Sequence, residues 1–224
     1  MRFCLPVLLA AALAAAAPAP NKIPRGADGK PDLGGEGVWF PLRVQDMANT
    51  DYKVDVPFLP WAKTKFEDNR ARRENDTASR CLPQGIPRLT YTPNAFSILQ
   101  LPNRIVFLYE GGTHIWRTVW MDGRAHPKDP NPDWLGDAVG HWEGDTLVVD
   151  SVGFNDRTWL DDAGHPHTER LHVVEKYTRT GPLAMKYEVL IDDPGAYTQS
   201  WTASTSIPFR PGARLTEYVC DGEK

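Results

Sequence analysis

From Pro87 onward the apolar residues of this 224-residue chain recur at every second position, and this alternation constrains the fold more than any other feature. Runs of this kind cover 96–101 (FSILQL), 104–110 (RIVFLYE), 114–121 (HIWRTVWM), 139–142, 145–150 (DTLVVD), 169–179, 183–192, 197–207 and 214–220. Turn residues separate most of them: Gly111-Gly112, Asp122-Gly123, Glu143-Gly144, Gly181-Pro182, Asp193-Pro194-Gly195 and Pro211-Gly212. With a strand-like patch at Gly37-Val38-Trp39-Phe40, the pattern predicts eight to ten antiparallel strands in consecutive hairpins. A meander that long curls, and closure removes its exposed edges, so the expected fold is an all-β antiparallel barrel. A two-sheet β-sandwich is the alternative.

One helix is expected near 59–76, where Pro60 suits a first turn and the apolar face is limited to Leu59, Trp61, Ala62 and Phe66. A helix with so little to bury should cap something else. Residues 18–36, rich in Pro, Gly, Lys and Asp, read as an extended arm; 37–220 form one domain and 221–224 a tail.

Residues 1–17 (MRFCLPVLLAAALAAAA) have an early Arg, a short apolar run and small residues, the pattern of a secretory signal peptide cut near Ala16. The run is too short to span a bilayer, and no other segment is apolar enough, so the mature chain is expected to be soluble and periplasmic or secreted. Once Cys4 leaves with the signal, Cys81 and Cys220 remain, as a disulfide in an oxidising compartment or as two free thiols. A formal net charge of −4 excludes a broad nucleic-acid surface, and eight Trp, seven Tyr and eight Phe argue against long disorder. The oligomeric state is not legible.

Gly37-Val38-Trp39, CLPQGIPR (81–88), DGRAHP (122–127), WEGDTLVVD (142–150), GFND (153–156), WLDDAGHPH (159–167) and DDP (192–194) resemble the words of an uncharacterised family of secreted bacterial proteins. The likeness runs from the DGKPDL stretch (28–33) to Cys220 and implies export and a shared fold, without a reaction. His141 stands where that family is expected to have Arg, so the resemblance gives it no role. A more distant likeness is to lipocalin-type (calycin) barrels, whose opening Gly-X-Trp plugs the barrel floor beneath an Arg from the last strand; Trp39 and Arg214 would take those parts.

The densest polar constellation lies in the long stretch 151–168 and just beyond it: Asn155, Asp156, Trp159, Asp161, Asp162, His165, His167, Glu169 and His172. His165 or His167 paired with Asp161 or Glu169 would be a general acid–base pair, with Trp159 as an aromatic wall. His165, His167 and Glu169 are also a weak transition-metal set, although no cofactor is required. Pro166 between the two histidines favours a turn over a strand. A second set comes from the strands. Glu175 shares a face with Leu171, Val173 and Tyr177, so it must pair with Arg117 or Arg214 or else form an anion or carbonyl site. Trp116, Trp120, Trp142 and Tyr177 are candidate walls for a ligand. Glu143-Gly144-Asp145 reads as a hairpin tip. There is no Gly-rich phosphate loop, GxSxG elbow or CxxC motif. The leading functional expectation is a barrel that binds a small, partly apolar or aromatic molecule. The alternative is a periplasmic lyase, isomerase or hydrolase that uses the His/Asp/Glu cluster at the barrel mouth.

Overall fold

The computed structural model of the chain describes residues 22–51 and 53–220, so the expected signal peptide, the first residues of the arm and the 221–224 tail lie outside the described residues. Among the described residues, nine strands carry the fold. They are β1 (Gly37–Trp39), β2 (Phe96–Leu101), β3 (Arg104–Tyr109), β4 (Trp116–Trp120), β5 (Asp137–Glu143), β6 (Thr146–Val152), β7 (His172–Gly181), β8 (Ala184–Asp192) and β9 (Trp201–Pro211). Their hydrogen bonds run in sequence order and then close, because β1 pairs with β9 (Val38 opposite Arg210) as well as with β2 (Trp39 opposite Phe96). The sheet is one closed ring and not two stacked layers, so the sandwich alternative does not apply.

Alternation sets which face is inside. In β7 the side chains of Val173, Glu175, Tyr177 and Arg179 are buried, while His172, Val174, Lys176 and Thr178 between them are half-exposed. β8 matches with Met185, Tyr187, Val189 and Ile191. Phe96, Phe107, Tyr109, Tyr177 and Tyr187 lie in mutual ring contact at 5.0–6.1 Å between centroids, which fills the middle of the barrel with side chains.

Three expectations need correction. The expected all-antiparallel meander is interrupted: β4 and β5 run parallel, with Trp120 opposite Val139. A ring with an odd number of strands cannot alternate direction all the way round, so at least one neighbouring pair must be parallel. A parallel pair needs a long return connection, and the irregular stretch 121–136 supplies it. The Gly111-Gly112 signal gives a helical turn over Gly111–His114 in place of a tight hairpin. No strand forms over 214–220, because the β1–β9 pairing leaves no edge for a tenth strand to join. That segment is held by the Cys81–Cys220 disulfide and by the Thr216 amide, which donates to Glu110 Oε2 at 2.9 Å.

The arm packs on the barrel from residue 22 on. Arg25 pairs with Asp145 at the β5–β6 hairpin tip, and buried Leu33 accepts the indole N–H of Trp39 at 2.6 Å. Arg179 of β7 lies 5.2 Å above the Trp39 ring, bonded to the carbonyls of Asp32, Gly181 and Pro182. Arg214, expected in that position, is exposed instead. The helix α1 (Pro60–Ala71) starts at Pro60 as expected but stops at Ala71, with two 3₁₀ turns following over 73–80. Of its side chains only Ala62 and Asn69 are buried. No helix among the described residues is long and apolar enough to cross a membrane.

Candidate functional site

The β6–β7 connection, 153–171, folds into a tight knot at one end of the barrel, and α1 lies across it. The Leu160 amide donates to the His165 carbonyl at 2.9 Å, which closes a turn around Asp161. Gly164 has φ +99°, and a Cβ there would come within 2.7 Å of Asn69 Cβ, so only glycine lets the loop pass this close to the helix. Asn69 Nδ2 donates to the Gly164 carbonyl at 2.9 Å. Beneath the loop, buried Arg88 holds Asp76 through two bonds of 2.6 and 2.7 Å and Asp162 through bonds of 2.7 and 3.0 Å. Its forked guanidinium ties the 76–80 turn, the 88–91 helical turn and the loop into one unit.

Inside the knot, His165 Nδ1 lies 2.8 Å from Asp161 Oδ2, and both side chains are almost wholly buried. Asp161 also accepts the amides of Met47 (2.8 Å), Gly164 (3.1 Å) and His165 (3.2 Å). Burial pushes the Asp161 carboxyl up, but the His165 ring and these amides outweigh it, so Asp161 stays ionised below its ordinary range. The His165 ring is stacked parallel to Phe58, with Phe66 at 4.4 Å and Trp201 at 5.5 Å between centroids. His165 is among the residues that line a cleft of about 440 Å³, with Phe58, Phe66, Lys63, Arg70 and Asp46.

Asp46, Asp161 and His165 each place one ligating atom within 4.8 Å of the others. Three backbone N–H donors already face the Asp161 oxygens, however, and His165 turns Nδ1 towards them as well. The set is therefore arranged as a hydrogen-bonded dyad, with Asp46 nearby holding the Ala48 amide and the Asn49 side chain.

The other expected residues separate. His167 lies on the far side of α1, where Nε2 accepts from the Thr158 hydroxyl at 2.8 Å and Nδ1 donates to the Thr168 carbonyl at 3.2 Å. Burial lowers its pKa, and both nitrogens are satisfied with the ring neutral. With Trp159 and Trp61 it borders a second cleft of about 290 Å³. Glu169 is exposed, so His165, His167 and Glu169 do not converge: the turn at Pro166 sends the two rings to opposite sides of the helix. Asn155 caps a local turn by accepting the Arg157 amide. Arg117 and Tyr177 each bond Glu175 inside the barrel. Trp142, opposite buried Leu147 on the inward-facing row of β5, is half-buried against the core under Lys30, and Trp116 and Trp120, with Arg117, border a third cleft of about 350 Å³ beside the parallel β4–β5 seam.

Asp46, Phe58, Lys63 and Phe66 were not legible as site residues, because they fall in an unpatterned segment and on a weakly amphipathic helix. Arg88 had one signal, its place at the end of the CLPQGIPR word.

Compared with known proteins, the chain matches no protein-family model, no curated protein and no solved structure.

Proposed function

We propose that the protein is an exported enzyme that uses the His165–Asp161 dyad for general acid–base chemistry on a small molecule bound in the 440 Å³ cleft. The single observation that carries this reading is the 2.8 Å contact between His165 Nδ1 and an ionised, fully buried Asp161, with the imidazole at the cleft wall. Asp161 fixes Nδ1–H, which leaves Nε2 as the atom that takes or gives a proton, and it stabilises the imidazolium once formed. Phe58 and Phe66 supply apolar walls. Lys63 and Arg70 at the rim supply positive charge for an oxyanion or enolate that develops as the proton leaves. This chemistry suits elimination, isomerisation or hydrolysis. Export is the compartment in which the Cys81–Cys220 bond persists, and the resemblance to secreted bacterial proteins agrees with it.

The test is NMR-monitored turnover of a mixed small-molecule extract by the wild-type chain, His165→Gln and Asp161→Asn. The wild type should deplete or convert specific compounds, and both variants should lose at least a hundredfold in rate while keeping the barrel's circular dichroism. Conversion unchanged in His165→Gln would overturn the reading. A second reading, simple binding of an aromatic molecule, is favoured by the third cleft, where Trp116 is 65% exposed beside Trp120 and Trp134.

A further inference from the structure

The parallel seam that completes the ring also leaves part of one strand edge unpaired. Between β3 and β4 the Tyr109 amide donates to the Ile115 carbonyl, and the Met121 amide to the Asn103 carbonyl. Residues 115, 117, 119 and 121 therefore turn their backbone groups to β3, and Trp116, Thr118 and Trp120 turn theirs to the β5 side. On that side only Trp120 has a ladder partner, Val139, among the described residues. The Trp116 and Thr118 amides and carbonyls consequently face the third cleft, which the 133–138 stretch borders from the other side.

Alternation puts the side chains of Trp116, Thr118 and Trp120 on the outside of β4, with Arg117 and Val119 buried between them. Trp134 adds a third indole to the cleft. Arg124 lies over the Trp120 ring at 3.9 Å and Arg157 over the Trp134 ring at 5.5 Å. Exposed Trp116 has no ring or cation contact among the described residues, so its faces are open for stacking. Two carboxylates stand beside the rings. Asp133 Oδ1 accepts the Trp134 amide at 2.7 Å, and Asp137 Oδ1 lies 2.6 Å from His126 Nδ1. Neither Oδ2 accepts a bond among the described residues.

These features select a ligand. An aromatic guest would stack on the indoles but would leave the carboxylate oxygens and the strand-edge groups that it covers without partners, which costs free energy. A peptide strand would match the edge, but two residues of edge are shorter than a strand. A pyranose ring meets both demands. Its C–H face lies flat on an indole, and its hydroxyls donate to carboxylates and carbonyls and accept from amides. A volume of about 350 Å³ falls in the range of small-molecule sites.

We propose that the third cleft is a saccharide-binding site, with Trp116 as the stacking platform, Asp133 and Asp137 as hydroxyl acceptors and the β4 edge as the backbone contact. The proposal rests on the second reading, that this cleft takes a ligand, and gives that ligand a different chemistry. It is independent of the His165–Asp161 dyad.

The test uses the mature chain with its disulfide intact. The Trp116 indole ¹H–¹⁵N signal is followed during titration with di- and trisaccharides of glucose, galactose, mannose and N-acetylglucosamine, with indole and benzoate as aromatic probes, and affinities are measured by calorimetry. At least one saccharide should shift that signal saturably at one site per chain, and bind more tightly than either aromatic probe. Trp116→Ala should weaken this binding about tenfold or more, whereas Trp116→Phe, which keeps an aromatic face, should stay within about threefold of the wild type. His165→Gln should leave binding unchanged. If indole or benzoate moves the Trp116 signal and no saccharide does, the saccharide assignment falls while the second reading stands. If no probe moves it, both fall. Saccharide binding that survives Trp116→Ala undiminished puts the site elsewhere and overturns the proposal.

Discussion

Arg117 and Glu175 meet inside the barrel with Nη1 2.5 Å from Oε2, both shut off from solvent. Tyr177 and Tyr187 donate their hydroxyls to the other Glu175 oxygen at 2.7 and 2.9 Å, and Arg117 Nη2 donates to Ser151 at 2.6 Å. Burial alone would push the Arg117 pKa down, but Glu175 beside it holds it above the ordinary value. Burial, reinforced by the Glu175 charge, lifts both tyrosines well above theirs. The interior therefore holds a buried polar network inside an aromatic core.

Removing one partner of this pair should hurt more than removing both. Glu175→Gln leaves a guanidinium buried without its counter-charge, an effect of about 3–5 kcal/mol. Joined to Arg117→Met in the double variant, Glu175→Gln should fall closer to the wild type than it does alone. Urea denaturation of the two single variants and the double checks this, and simple additivity would show that the charges are not coupled.

The disulfide should matter as much as any core contact. Cys81 and Cys220 are 139 residues apart, and loop-closure entropy assigns such a link about 4–5 kcal/mol. The 212–220 segment makes no strand, and the bond ties its last residue to the 81 turn. Cys81→Ser/Cys220→Ser should lower the melting temperature and abolish hydrogen-exchange protection of the Thr216 amide, while strands β1–β9 keep theirs.

How much of this was legible in the sequence follows from which residues share a period. β7 and β8 were readable because Val173, Glu175, Tyr177 and Arg179 alternate with polar neighbours, and burial of alternate residues is what a barrel wall requires. The parallel β4–β5 pair was not readable, because strand direction depends on the parity of the closed ring and no local residue encodes it. The His165–Asp161 pair is one of the four His/acid pairings that the dense polar cluster offered, His165 or His167 with Asp161 or Glu169. Its cleft was not legible, since Phe58, Lys63 and Phe66 reach His165 only through the docking of α1, which buries few residues of its own. Trp39 is buried at the end of β1, as a Trp at a strand start suggests, and the guanidinium over it is that of Arg179; a cation over an indole leaves no trace in sequence spacing.

Arg88 should be irreplaceable by another cation. Burial works against its charge, but Asp76 and Asp162 more than compensate and raise its pKa. A lysine cannot reproduce the paired 2.6 and 2.7 Å bonds to Asp76 while also reaching Asp162. Arg88→Lys should lose about 2–4 kcal/mol and loosen the 159–168 knot. The measurement is thermal unfolding, together with proteolytic cleavage rates at Arg157 and Arg170. Equal stability in Arg88→Lys would show that charge alone suffices there.

His167 makes the fold sensitive to mild acid, and the sign follows from its burial. The folded ring has a pKa below the usual value near 6.5, because burial disfavours the imidazolium more than the Thr168 carbonyl and the nearby Asp193 and Asp156 favour it. Between that lowered value and about 6.5 the unfolded chain binds a proton that the folded chain does not, so stability rises with pH across this window and is lost on acidification. The slope contributed by one such group approaches about 1.4 kcal/mol per pH unit. Asp161 acts in a lower window: its carboxyl is held below the ordinary range when folded, so its contribution is complete above about 4 and disappears only as pH falls through the depressed value. Unfolding free energies measured from pH 7.5 to 4.5 should therefore fall for the wild type, and the His167→Gln variant should show a flatter dependence over the same range while remaining sensitive below pH 4. Parallel curves for the two proteins would mean that His167 is protonated in the fold, which its burial argues against.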